Sequence, residues 1–169
     1  MSFTERKKWY SHKFKGFAIK YEIASSIHTG HIVHYSGPYR GAVHDLTIFR
    51  FCMRKCLNRG EKAIGDRGYR GDRKLVTTYT ANDAQHARAI KLIGARHETI
   101  NGRICTFESM RQRWRHALDK HHIAFRAVLV LVQISIANGR PVFSVRGYED
   151  PLHRDDVSVD SVTYEDICK

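Results

Sequence analysis

A chain of 169 residues, 42% hydrophobic and 27% charged, has room for one ordinary domain with a buried core, and its composition excludes an intrinsically disordered protein. The formal net charge of +12 points to a polyanionic partner. That charge is polarised: residues 149–169 hold seven acids against Arg154 and Lys169, a balance of −5, which leaves +17 on the first 148 residues.

In chain order, residues 17–24 (FAIKYEIA) predict a strand with Phe17, Ile19, Tyr21 and Ile23 on one face. His28-Thr29-Gly30 predicts a hairpin turn, and residues 31–36 the returning strand, ended by Gly37-Pro38. Val43, Leu46, Arg50, Met53 and Leu57 recur at helical spacing and predict one helix over 43–57. Residues 62–66 (KAIGD) predict a short buried strand ending on Asp66, followed by a Gly-rich turn, RGYRGDR. From Asp83 to about Trp114 the apolar positions Ile90, Ile93, Ile100, Ile104, Phe107 and Trp114 predict a long amphipathic helix, with His97 and Arg111 in the gaps. Gly94 and Gly102 leave room for a break in it. A last helix is predicted over Asp119–Asn138, closed by Gly139 and Pro141. This order implies a mixed α/β sheet flanked by helices over residues 1–147, and a loosely ordered acidic tail over 148–169.

The basic body holds only ten carboxylates, and three have settings that suit chemistry: Asp45 in GAVHDLTIF, Asp66 in AIGDRGYRG and Glu98 in ARHETINGR. Asp66 ends an apolar strand before a Gly turn, the rigid and uncrowded setting that a hard divalent cation with oxygen ligands needs. An Asp bonding its own turn fits the same pattern. Glu98 lies beside the apolar stripe of the long helix, with Gly94, Asn101 and Cys105 near its face; a solvated Glu paired with Arg96 or Arg103 fits equally. Asp45 suits either a site or a first-turn helix acid favoured by the macrodipole.

The runs KKWYSHKFKGFAIKYEIA, HIVHYSGPYRGAVHDLTIFR, KAIGDRGYRG and ARHETINGRICTFESMRQRWRH, in that order from about Lys7 to Phe143, resemble the catalytic domain of the PIF/Harbinger-type DDE transposases, also called DDE superfamily endonucleases. The resemblance implies an RNase H-like fold and metal-dependent phosphoryl transfer on DNA, using Mg²⁺ or Mn²⁺ held by two Asp and one Glu. Asp66 matches the second Asp of that triad, Glu98 matches the Glu, and Asp45 matches a His-Asp element with a supporting role. The family's first Asp lies on a central strand before the segment that matches Lys8-Trp9-Tyr10, and no Asp precedes Asp45 here. The expectation is therefore an N-terminally truncated domain, either an endonuclease or a catalytically dead DNA-binding or protein-interaction module derived from one. The resemblance and the basic N-terminus also imply a nuclear location.

Two basic clusters with interleaved aromatics suit a DNA backbone: Lys7, Lys8, Lys13 and Lys15 around Trp9, Tyr10 and Phe14, and Arg111, Arg113 and Arg115 around Trp114. A merely solvated basic face fits them as well. No helix-turn-helix or zinc-finger signature is visible, so sequence specificity would come from a separate DNA-binding partner. Cys52-x3-Cys56 with His116, His121 and His122 is wider than the usual zinc spacing, and buried thiols with surface histidines are the plainer account; His28, His31 and His34 cluster near the hairpin. Neither a Gly-x-Ser-x-Gly nucleophile nor a phosphate-binding loop occurs. Four cysteines at irregular spacing, no secretory signal, and an apolar run from Ile123 to Ala137 interrupted by Arg126 and Gln133 predict an intracellular protein outside the membrane.

Overall fold

The structure is a computed structural model that describes residues 3–13 and 15–145. The elements run α1 (Phe3–Trp9), β1 (Tyr10–Ser11), β2 (Gly16–Phe17), β3 (Ile19–Ser25), β4 (Ile32–Arg40), α2 (Asp45–Phe51), α3 (Met53–Cys56), β5 (Ala63–Ile64), a 3₁₀ turn (Arg67–Tyr69), β6 (Leu75–Val76), α4 (Ala84–Cys105), α5 (Glu108–Arg111) and α6 (Leu118–Ala137). The class is mixed α/β, as expected. The predicted acidic tail lies outside the described residues.

The β3–β4 hairpin forms because apolar and polar side chains alternate along β3 while Gly30, at φ +73°, closes the turn without strain. Gly30 also sits where a side chain has no room, because a Cβ there would lie 2.2 Å from Val142 Cγ2. Tyr21 and Ile23 pack against the main core. Lys20, on the other face, reaches α2: its Nζ donates to Val43 O (2.8 Å) and Asp45 Oδ1 (3.0 Å). Helices thus cover both faces of the hairpin. β4 continues past Gly37-Pro38, contrary to the predicted stop. Arg40 and Tyr39 pair with Ile19 and Lys20, while a register shift between Lys20 and Glu22 takes up the proline, which has no N–H for the ladder.

The core is the seam between α4 and α6. Ile100 and Ile104 meet Phe125, Val128, Leu129, Val132 and Ile136, and Tyr21 stacks on Phe125 with ring centroids 3.6 Å apart. Asp83 caps α4 by accepting from the His86 N–H (2.7 Å), and Arg96, buried to 1% exposure, donates through Nη2 to Ser26 O (2.9 Å), tying α4 to the end of β3. The predicted long helix stops at Cys105 rather than running to Trp114. Gly94 and Gly102 stay inside it; the break comes at Thr106, whose hydroxyl donates to Arg103 O (2.7 Å), a local bond that competes with the helix ladder. Arg111 is therefore exposed, and Trp114 leaves the stripe to bond Ala117 O through Nε1 (3.0 Å).

The single predicted helix over 43–57 is two, broken at Cys52 (φ −120°, ψ −79°). Cys56 and Cys105 are exposed and Cys52 is half-buried, so the expectation of buried thiols fails; α3 is a single surface turn with no buried residue. α6 meets the length and apolarity of a membrane span, despite Arg126 and Gln133, and one side of it forms the core described above.

Candidate metal centre

Asp45 opens α2, with His44 as the N-cap accepting the Leu46 N–H through Nδ1 (3.2 Å). Asp66 follows β5 and caps the 3₁₀ turn, its Oδ1 accepting the Gly68 N–H (2.8 Å). The turn brings Gly68 between the two acids: a Cβ built there would lie 3.1 Å from Asp66 Oδ1 and 3.3 Å from Asp45 Oδ2. The two carboxylates therefore face one spot, left open because residue 68 has no side chain. Asp66 bonds its own turn, as one of the two readings of it has it, and it also faces a second acid across Gly68.

Burial of the Tyr69 phenol raises its pKa, and the carboxylates of Glu22, Asp45 and Asp66 raise it further, which makes Tyr69 the common neighbour of all three acids. Glu22 is the residue that the sequence reading missed. It is 4% exposed, its Oε2 accepts a long bond from Ser36 Oγ (3.4 Å), and its Oε1 has no partner. Burial pushes its pKa up to about 7, against the pull of the Ser36 and Met53 donors and with a further push from Asp45. His34 Nε2, 3.8 Å from Glu22 Oε2, is likewise buried without a hydrogen-bond partner, and burial lowers the His34 pKa.

Glu98 is exposed on α4, beside His97, and does not complete a three-ligand group with Asp45 and Asp66. Among the described residues, no three His, Cys, Asp or Glu side chains are grouped to hold a metal ion, and this applies to the Cys52, Cys56 and His116–His122 set as well. The donor set that does converge is two hard carboxylate oxygens. It fits a single oxygen-preferring divalent cation that keeps several of its waters, and it does not fit a two-ion clamp. Lys20 opposes even that, because its ammonium already holds Asp45 Oδ1.

All seven of the predicted DNA-contacting residues, Lys7, Lys8, Lys13, Lys15, Arg111, Arg113 and Arg115, are exposed. Lys8 is bonded to Glu5 (2.6 Å), and Arg111 to Glu108. Lys13 and Lys15 lie in the turn between β1 and β2, where Lys15 takes φ +50°.

The sequence profile of the DDE superfamily endonucleases matches residues 1–133. This chain belongs to that family. No curated protein and no solved structure matches it. Membership makes DNA phosphodiesters the substrate class of its relatives and gives the Asp45–Asp66 pair a chemical context: hard carboxylates beside a Gly-rich turn that follows a strand.

Proposed function

We propose that this endonuclease-family domain carries out, or derives from a protein that carried out, metal-dependent phosphoryl transfer on DNA in a PIF/Harbinger-type transposase. The observation that carries the reading is the convergence of Asp45 Oδ2 and Asp66 Oδ1 on Gly68. In it, Asp45 and Asp66 hold Mg²⁺ or Mn²⁺; such a cation supplies Lewis-acid polarisation of a phosphodiester oxygen. The Gly68 N–H orients Asp66, and the missing Cβ at Gly68 keeps the approach open. Glu98 joins as a third ligand only in a state that brings α4 to the pair.

The RNase H-like arrangement belongs to the same proposal. Its support is the sheet order: among the described residues β3 pairs with β4 and β5 pairs with β6, in parallel, so both two-stranded sheets keep unpaired edges. One additional strand between β3 and β5 would join them into a single sheet and could carry a further acid to the site. Nuclear location is part of the proposal too.

A second reading, a DNA-binding module without catalysis, is favoured by the Lys20–Asp45 ion pair, which occupies the cation's own ligand. Nicking of supercoiled plasmid by the full chain in Mn²⁺ separates the two. The enzyme reading expects nicking that Asp66→Asn or Asp45→Asn abolishes. Absence of nicking, with salt-sensitive DNA binding intact in both variants, supports the module and overturns the enzyme.

A further inference from the structure

The Gly-rich segment after Asp66 contains a second feature that the metal site does not use. Arg67 and Arg70 both lie against the ring of Tyr79, with their guanidinium carbons 5.1 and 5.3 Å from its centroid. Tyr79 itself is 55% exposed. Neither arginine has an acidic partner among the described residues, and neither does Arg73. The neighbouring arginines contrast with them. Arg50 and Arg54 both bond Asp72 at 3.1 Å, so the one acid of this segment is already neutralised. The pattern leaves three uncompensated guanidiniums immediately after the Asp45–Asp66 pair, two of them pre-positioned on an aromatic ring.

Arg70 also lines a cleft of about 310 Å³, together with Arg73, Leu75, Thr77 and Thr80. Thr77 is 2% exposed and its hydroxyl has no partner, while its backbone is locked to Thr80: the Thr77 N–H donates to Thr80 Oγ1 (2.9 Å), which donates in turn to Thr77 O (3.0 Å). Asp72 also lines the cleft, with its carboxylate held by Arg50 and Arg54, so Arg70 and Arg73 are the unpaired charges of the lining, and Arg70 joins the cleft to the arginine–tyrosine stack.

We propose that Arg67 and Arg70, held by Tyr79, clamp a non-reacting phosphodiester of a DNA strand and lead that strand along the Arg73–Thr77 cleft, on the flank of the carboxylate pair. A phosphate group suits the site because planar guanidiniums bind its oxygens in bidentate fashion and because the stack holds their side chains in place before the ligand arrives. Tyr79 is a positioning residue here. The clamp rests on the reading of this chain as a DNA-acting domain, although not on its being catalytic.

The test is the salt dependence of DNA affinity of the full chain, read by fluorescence anisotropy on a labelled duplex. Each phosphate contact contributes about 0.9 to the slope of log K against log salt. Removal of both arginines (Arg67→Ala with Arg70→Ala) is expected to lower that slope by about two contacts' worth, whereas Lys91→Ala, an equal charge loss per site on exposed α4, leaves it unchanged. Tyr79→Leu is expected to lower the slope in part, and Tyr79→Phe, which keeps the ring, to restore it. An unchanged slope in the double variant overturns the clamp, and an equal loss in Lys91→Ala reduces it to general charge. Inorganic phosphate at matched ionic strength should not displace the duplex; if it does, the site takes free phosphate and the strand assignment fails. Nicking activity is scored separately. Lost slope without nicking leaves the clamp standing and removes the nuclease, and nicking with an intact slope does the reverse.

Discussion

Replacing Glu22 with glutamine keeps the shape of a side chain that is 4% exposed and removes its titration. In the native chain, burial raises the Glu22 pKa from 4.5 to about 7. The unfolded chain releases this proton near the lower value, so between the two the folded state binds more protons than the unfolded state. Stability from this residue is therefore fully present below pH 4.5 and is lost as pH rises through about 7. At about 1.4 kcal/mol per pH unit, the penalty above pH 7 reaches at most about 3 kcal/mol. Glu22→Gln should abolish it, and its amide can donate to the unpartnered His34 Nε2. Urea denaturation of both proteins from pH 5 to 8 gives the comparison. The difference in unfolding free energy should move in favour of the variant by roughly 2–3 kcal/mol across that range. His97 and His121, whose pKa values burial lowers, push stability the opposite way in both proteins and cancel in the difference, which reports residue 22 together with His34, 3.8 Å from it. A difference that stays flat from pH 5 to 8 refutes the buried, protonated Glu22.

Other expectations follow from single contacts. Ile100→Ala, at a fully buried position between α4 and α6, should cost about 2–5 kcal/mol in urea unfolding. Gly30→Ala combines a φ of +73° with a Cβ 2.2 Å from Val142 Cγ2, and should lower stability by roughly 2–4 kcal/mol, seen as an earlier thermal midpoint. Lys20→Met frees Asp45 Oδ1 from its ammonium partner; calorimetric titration with Mn²⁺ should then show tighter binding than the parent, and equal or weaker binding excludes Asp45 as a ligand.

What the sequence disclosed and what it hid divide along one physical line. Features set by neighbours in the chain were legible. Alternation marked the β3–β4 hairpin, Asp83 marked the start of α4, and Gly139 and Pro141 marked the end of α6 to within a residue. The stripe of Ile90, Ile93, Ile100 and Ile104 correctly located the buried side of the long helix. Features set by another element were not legible. Lys20 and Glu22 fall on the polar face of β3, which in isolation reads as the solvent face; α2 covers it, and that cover turns an ordinary strand glutamate into a buried acid. The break between α2 and α3, at Cys52, has no glycine or proline to announce it.

The candidate site divides in the same way. Asp66 could be picked out locally, from an apolar strand and a Gly turn, and Asp45 from its place at a helix start, but their meeting across Gly68 depends on how the 3₁₀ turn docks on α2. Spacing along α4 could not decide the position of Glu98, because a helix face is defined only by what packs on it. α4 turns Ile93, Arg96 and Ile100 inward, with Arg96 committed to the end of β3, and this rotation leaves Glu98 on the exposed side. The same Arg96–Ser26 bond fixes the rotation of α4 against the hairpin, so the exposure of Glu98 is set by a contact 70 residues away in the chain.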